Sequence, residues 1–166
     1  GYDFISSSTI SNDGDGRDAD ATDAGDYCNG EYSSWHGTHV AGTIGAAANN
    51  GAGIAGIAYS STILPIRALG ACGGYMSDIA DAVVWASGGA ISGVPASIYR
   101  PQVINMSLGG AGQCGYYIQS ALDFAAAQGV TVVAAAGNED SPASGATPAN
   151  CNRVVTVGAT GREGNR

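Results

Sequence analysis

The sequence contains no lysine, and its six basic residues are all arginines against fourteen acidic ones, a net charge of -8. Binding a phosphate backbone needs clustered cations, so nucleic acid is excluded as a partner. Charged residues of either sign are scarce, at 12%, while hydrophobic residues make up 45%. An intrinsically disordered chain would show the reverse. No apolar run approaches the roughly 20 residues of a membrane span, so a spanning helix is excluded too. No Cys-x-x-Cys pair occurs, which weakens a zinc site or a dithiol redox centre. No Gly-x-y repeat accounts for the 27 glycines, which must instead serve turns and close backbone approaches.

What is present is enough for one ordinary domain: 166 residues can bury a real core. Cys28, Cys72, Cys114 and Cys151 are an even set in an acidic, Gly/Ser-rich chain, which suits two disulfides in an exported protein. Three pairings are possible, and four buried thiols in a cytosolic protein is the alternative. The chain opens at Gly1-Tyr2-Asp3-Phe4 in the manner of the interior of a longer polypeptide. The lack of a signal peptide is therefore silent on secretion.

Residues 6–34 are polar and read as one long loop carrying Asp13, Asp15, Asp18, Asp20, Asp23 and Asp26. From His36 to Ala47 the small residues predict a helix suited to a buried position. Residues 63–69 predict a strand, and Ser77-Asp78-Ile79 opens a helix with Ser77 as cap and Ile79, Val83 and Ala86 on one face. A second strand covers 103–108, closed by Gly109-Gly110. Ile118, Ala121, Leu122 and Ala125 then recur at helical spacing up to a stop at Gln128-Gly129. Third and fourth strands cover 130–135 and 153–159. Continuous apolar strands separated by helices predict an α/β fold, a parallel sheet with helices on both faces.

Both histidines lie in His36-Gly37-Thr38-His39. They read in three ways: ordinary polar residues at a helix start, a metal pair on one side of a helix, or a general base at His36 with His39 turned inward. Asn138 follows an apolar strand at its carboxyl end, where ligands bind in open α/β sheets. Its carboxamide suits an oxyanion donor, although Gly-Asn is also a common turn dipeptide.

Three stretches, 36–43 (HGTHVAGT), 104–110 (INMSLGG) and 133–139 (VAAAGNE), resemble the subtilisin-like serine proteases, or subtilases, in order and at fitting separations. The acidic opening and the cysteine placement resemble the secreted, calcium-dependent bacterial branch. The resemblance covers nearly the whole chain and implies a serine endopeptidase, secreted, cleaving peptide or protein substrates through an acyl-enzyme. It implies His36 as general base and Asn138 as side-chain oxyanion donor, a group whose loss costs subtilisin itself roughly a hundred- to thousandfold in turnover. It implies Ser107, Leu108 and Gly109 as one wall of the specificity pocket and a substrate-binding edge. Ala135, Ala136 and Gly137 would form the other wall. Gly73, Gly74 and Tyr75 would form the opposite edge, so that a peptide lies between two strands as an added antiparallel member.

Two departures accompany those matches. The family's nucleophile lies in a Gly-Thr-Ser-x-Ala-x-Pro stretch, and its orienting aspartate in a strand ending Asp-Thr-Gly or Asp-Ser-Gly; the sequence contains neither. Asp3 resembles the segment after that strand, and Ser107 sits in pocket wall without a nucleophile elbow, so neither substitutes. Residues 1–166 therefore read as a partial peptidase catalytic domain, either one piece of a nicked enzyme or a truncation. Alone, such a chain is expected to be inactive and to lack stable folding without complementary segments carrying the serine and the aspartate.

The Asp-Gly-Asp-Gly-Arg-Asp run from Asp13 suits calcium. Ala24 replaces the closing Glu of an EF-hand, so the ligand set is read as Asp13, Asp15, Asp26 and the Arg17 carbonyl, with Asp18, Asp20 and Asp23 as further candidates. A solvated acidic loop is the alternative. Within the family reading the cysteines pair as Cys28–Cys72 and Cys114–Cys151, joining loops at the substrate end of the sheet. Two other functions compete: a catalytically inactive calcium-binding module that keeps the peptide groove, and a metal-dependent hydrolase built on His36 and His39.

Overall fold

A computed structural model describes residues 1–165. They fall into two compact units, Gly1–Ala82 and the residues from Val83 onward, divided within one helix.

The first unit carries β1 (Tyr2–Asp3), α1 (Ser8–Ser11), α2 (His36–Gly45), β2 (Ile66–Arg67) and the start of α3 (Met76–Ala86). β1 and β2 pair in parallel, Tyr2 against Ile66 and Asp3 against Arg67. The strand predicted over 63–69 shrinks to two residues, since its only partner among the described residues, β1, is two residues long. The predicted single loop over 6–34 is interrupted by α1 and pinned by a bridge between Asp3 and Asp18. Tyr2, Phe4, Ile5, Ile79, Ala80 and Ala82 are buried, with the Tyr2 and Phe4 rings 5.1 Å apart.

That small apolar cluster encloses charge. Asp3 is fully buried and pairs with Arg67, which also meets Asp13 and donates to the Ser11 carbonyl. Burial pushes the Asp3 carboxyl above its ordinary value, while the Ile5 amide and Arg67 hold it down. Arg17 donates to the Phe4 carbonyl (2.9 Å), Asp81 (2.7 Å) and the buried Asp78 (2.6 Å). Asp78 also accepts from the Ser6 amide at 2.9 Å. α3 therefore starts at Met76, not behind a Ser77 cap: the Tyr75 carbonyl takes the amides of Asp78 and Ile79, and Ser77 lies inside the helix. Ile79, Val83 and Ala86 are buried, as their spacing predicts.

The second unit carries the rest of α3, then β3 (Val103–Met106), β4 (Gly110–Ala111), α4 (Tyr116–Ala127), β5 (Thr131–Ala135), β6 (Ala146–Thr147) and β7 (Val154–Val157). β3, β5 and β7 form a parallel sheet in that order, with Met106 against Ala134 and Ala135 against Val157. Gly110, read as part of a strand stop, instead begins the short β4, antiparallel to β6. On α4, Ile118, Ala121, Leu122 and Ala125 are buried, as their spacing predicts; α4 packs on β5, whose Val132 and Ala134 are buried too. The Gln128 amide closes the helix on Phe124 and Ala125, and Gly129 follows at φ +77°.

α4 covers one face of this sheet. Val103, Val155 and Val157, on the other face, are 55%, 52% and 51% exposed. A parallel sheet with helices is the α/β arrangement that the sequence predicts. Both disulfides form, Cys28–Cys72 in the first unit and Cys114–Cys151 in the second, with Cα separations of 4.8 and 5.2 Å. Closing loops of this size contributes about 4 kcal/mol each in the chain-entropy model. Leu122, wholly buried on α4, is the sharpest probe of the covered face. Leu122→Ala should lower stability by about 2–5 kcal/mol in denaturant titrations of the intact protein, whereas Val155→Ala on the open face should cost far less.

Candidate active site

His36 is the first residue of α2, and what fixes it is the chain that leads into it. Trp35 adopts a left-handed conformation, φ 52°, turning the backbone sharply into the helix. Ser34 is held by Asp26, which accepts both its amide (2.6 Å) and its hydroxyl. Asp23 accepts the Gly25 amide (3.0 Å) and, across fifteen residues, the Thr38 hydroxyl at 2.6 Å. Two carboxylates therefore clamp the residues on either side of His36. At the other end of the helix the amides of Gly56, Ile57 and Ala58 donate to the carbonyls of Ala46, Thr43 and Ile44.

α2 buries none of its residues. The sequence predicts a buried helix, but Val40, Ala41, Gly42, Ile44 and Gly45 are half-buried and the rest exposed, and close backbone approach occurs at the helix end. His36 and His39 are both exposed, so His39 does not turn inward. No carboxylate forms an ion pair with either ring among the described residues, and no group of three His, Cys, Asp or Glu side chains gathers around a metal position.

Within the same unit, Cys72 and Gly73 take positive φ (60° and 111°) in a turn closed by a bridge between Gly70 and Gly73. The Cys28–Cys72 disulfide ties this turn to the segment preceding α2. Tyr75 leaves it exposed, immediately before α3.

In the second unit the strand register brings two predicted walls side by side. Because Met106 faces Ala134, residues 107–109 and 135–137 both leave from carboxyl ends of neighbouring parallel strands. The Ser107 hydroxyl accepts from the Asn105 amide group at 2.9 Å, a local tie within the strand end. The Ala136 amide donates to Val157 at 2.9 Å, and Gly137 then turns at φ +103°. A Cβ at Gly137 would stand 2.5 Å from Glu139 Oε2, the atom that accepts the Asn138 amide at 2.8 Å. Only glycine fits that turn. It leaves Asn138 exposed beyond the carboxyl end of β5, its side-chain amide without a partner among the described residues.

Among the described residues the aspartates of the acidic segment do not gather as a group of three, and each has its own partners. Asp13 meets Arg67, and Asp23 and Asp26 hold the approach to His36. Asp18 accepts the Asp20 amide, Asp20 accepts the Thr22 amide, and the Asp15 carbonyl accepts from Ser11. The Arg17 side chain is spent on Asp78 and Asp81.

The model of the subtilase family of peptidases matches residues 3–166. The chain belongs to the subtilase family. It is 54% identical over 169 residues to an extracellular protease of Xanthomonas campestris pv. campestris, covering 96% of this chain and 29% of that protein. It is 48% identical over 179 residues to an extracellular basic protease of Dichelobacter nodosus, covering all of this chain and 30% of that one. Among solved structures, a Pseudoalteromonas arctica protease superposes with a TM-score of 0.97 at 51% identity, over 100% of this chain and 51% of that one. Sphericase superposes at 0.71 with 30% identity, over 98% and 48%. This subtilase chain thus spans under a third of those curated relatives and about half of the solved chains, with the same α/β fold.

The clamp residues were read from sequence only as metal candidates. Asp26 and Ser34 are eight apart and Asp23 and Thr38 fifteen apart, spacings that carry no helical or strand periodicity, so nothing local marks them. The Ser34 hydroxyl holds the Asp26 carboxyl below its ordinary value. Such a group stabilises the fold fully above the unfolded aspartate pKa of about 3.9, and that contribution is lost as pH falls through the lower folded value. Hydrogen-exchange protection at 34–38 should therefore fall on acidification below that range, relative to the β5 amides. In Asp26→Asn protection should be weaker already at neutral pH and should lack this acid step.

Proposed function

We propose that this chain is part of a secreted serine endopeptidase, contributing the general base, one oxyanion donor and the peptide-binding walls. The subtilase match over residues 3–166 carries the reading, since it contains the His36 and Asn138 motifs in the family's order. Exposure of both side chains supports it, because each is open to substrate and to further polypeptide.

In this mechanism His36 accepts the proton of a serine hydroxyl as that oxygen attacks the scissile carbonyl, then returns it to the leaving amine. The carbonyl oxygen becomes an oxyanion and takes a hydrogen bond from the Asn138 side-chain amide. On the family resemblance Gly73, Gly74 and Tyr75 form one substrate-binding edge, and Ser107, Leu108 and Gly109 form another. Ala135, Ala136 and Gly137 leave room for a bulky P1 side chain. Asp23 and Asp26 act as positioning residues for the base. The serine and its orienting aspartate come from complementary segments, and the open valine face of the β3–β5–β7 sheet is the surface such segments would cover. Residues 1–166 alone are inactive on this reading.

Secretion is supported by the two disulfides and by relatives named extracellular proteases; among the described residues no helix is long and apolar enough to cross a membrane. Calcium belongs to the reading through the family resemblance and the carboxylate density of 13–26, and no ligand set is assigned to it.

In the intact protease a fluorophosphonate probe should label one serine. His36→Ala should abolish that labelling and lower kcat by about a millionfold, as loss of the histidine does in subtilisin, the family's own reference case. Asn138→Ala should cut kcat about a hundred- to thousandfold with little change in KM. A probe that labels nothing in the intact protein would favour the inactive peptide-binding module instead.

A further inference from the structure

One arginine with neither a carboxylate nor a hydrogen-bond partner lines a cavity. Arg17, Arg67 and Arg153 each face an aspartate, whereas Arg100 has no ion pair or hydrogen bond among the described residues. It borders a cavity of about 340 Å³ in the second unit, together with Ser87, Pro101, Gln102, Gln128, Gly129 and Val130.

Ser87 is 2% exposed, and its hydroxyl is buried with no hydrogen-bond partner. A buried unpaired hydroxyl is destabilising by about 1–3 kcal/mol, so native proteins leave few of them. Here it lines a cavity beside an unpaired cation. Arg100 is also placed, not merely present. A Cβ at Gly88 would stand 1.8 Å from Arg100 Nη1 and 2.2 Å from its Cζ, so the guanidinium lies directly on the Gly88 backbone. That approach requires a glycine, which φ +94° independently favours.

The ordinary role for such an arginine is to cap the ends of α3 and α4, which border the cavity. Those ends are already closed. Ser87, Gly88 and Gly89 donate to the carbonyls of Val83, Trp85 and Val84, and Gln128, Gly129 and Val130 to those of Phe124, Ala126 and Ala125. The guanidinium is left with five donors, and nearby stand a hydroxyl and the two carboxamides of Gln102 and Gln128.

We propose that this cavity binds a small oxyanion, a carboxylate or a phosphate group. Arg100 supplies a charge-assisted fork, Ser87 donates its otherwise unused hydroxyl, and the glutamine amides offer further donors. The site is independent of the protease reading, since none of its residues belongs to the catalytic or peptide-binding set.

The test uses the intact protein, with sodium phosphate and sodium acetate titrated separately against sodium chloride at matched ionic strength. Melting temperature and isothermal titration calorimetry provide the readouts. At least one anion should raise the melting temperature saturably, and the tighter of the two identifies the source. Arg100→Gln, on an exposed side chain, should weaken binding at least about tenfold, and Arg100→Lys should restore it only in part. Ser87→Ala should also weaken binding while raising the melting temperature of the anion-free protein, because it removes an unpaired hydroxyl. Non-saturating responses to both anions, or saturable binding unchanged in Arg100→Gln, would overturn the proposal. Labelling by the fluorophosphonate probe reads the protease assignment separately, so either conclusion can fail without the other.

Discussion

Burying charge in a chain with so few cations is what the first unit depends on. Its strands are two residues long and its longest connection is polar, so backbone ladders and apolar burial supply little of its order. Two guanidinium groups replace them. Arg67 joins Asp3, Asp13 and the Ser11 carbonyl, while Arg17 joins Asp78, Asp81 and the Phe4 carbonyl and lies 5.5 Å from the Phe4 ring centre. A buried ion pair is weak evidence for net stability, because desolvation offsets much of its attraction. Its value here lies in register. Removing either arginine leaves a buried carboxylate without its cation, at a cost of about 3–5 kcal/mol, so other arrangements of the acidic segment are disfavoured.

The same interaction explains why the acidic run was hard to read. Six aspartates within fourteen residues suggest a hard cation, because sequence distance alone shows only their mutual repulsion. Positive charge from outside the run answers that demand at Asp13, through Arg67 fifty-four positions away. Asp18, Asp20, Asp23 and Asp26 are satisfied one by one by amides and hydroxyls. None of those partners can be located without the fold.

Elements built on local periodicity were legible. Ile118, Ala121, Leu122 and Ala125 mark the covered face of α4, and the apolar runs at 103–108, 130–135 and 153–159 mark the three parallel strands, a few residues too long at their ends. The three motifs were legible as well, since each is a contiguous string. Features that depend on a distant partner were not. The shrinking of 63–69 to β2 follows from the length of β1, and the start of α3 at Met76 from hydrogen bonding at Tyr75.

For the site, the division is between what a residue is and how it is aimed. Residue type and motif single out His36 and Asn138, but their presentation rests on backbone turns with unusual φ. Trp35 at φ 52° starts the histidine helix, and Gly137 at φ +103° ends the approach to the asparagine. These turns differ in how they are held. Gly137 needs no outside support, because a residue without Cβ adopts that conformation at little cost. Trp35 does: a bulky side chain there is strained, and the strain persists only where neighbours over-determine it. Asp26 on Ser34 and Asp23 on Thr38 bracket that residue on both sides. The histidine is thus presented by a loop conformation that Asp23 and Asp26 hold through hydrogen bonds, and the asparagine by one that glycine allows.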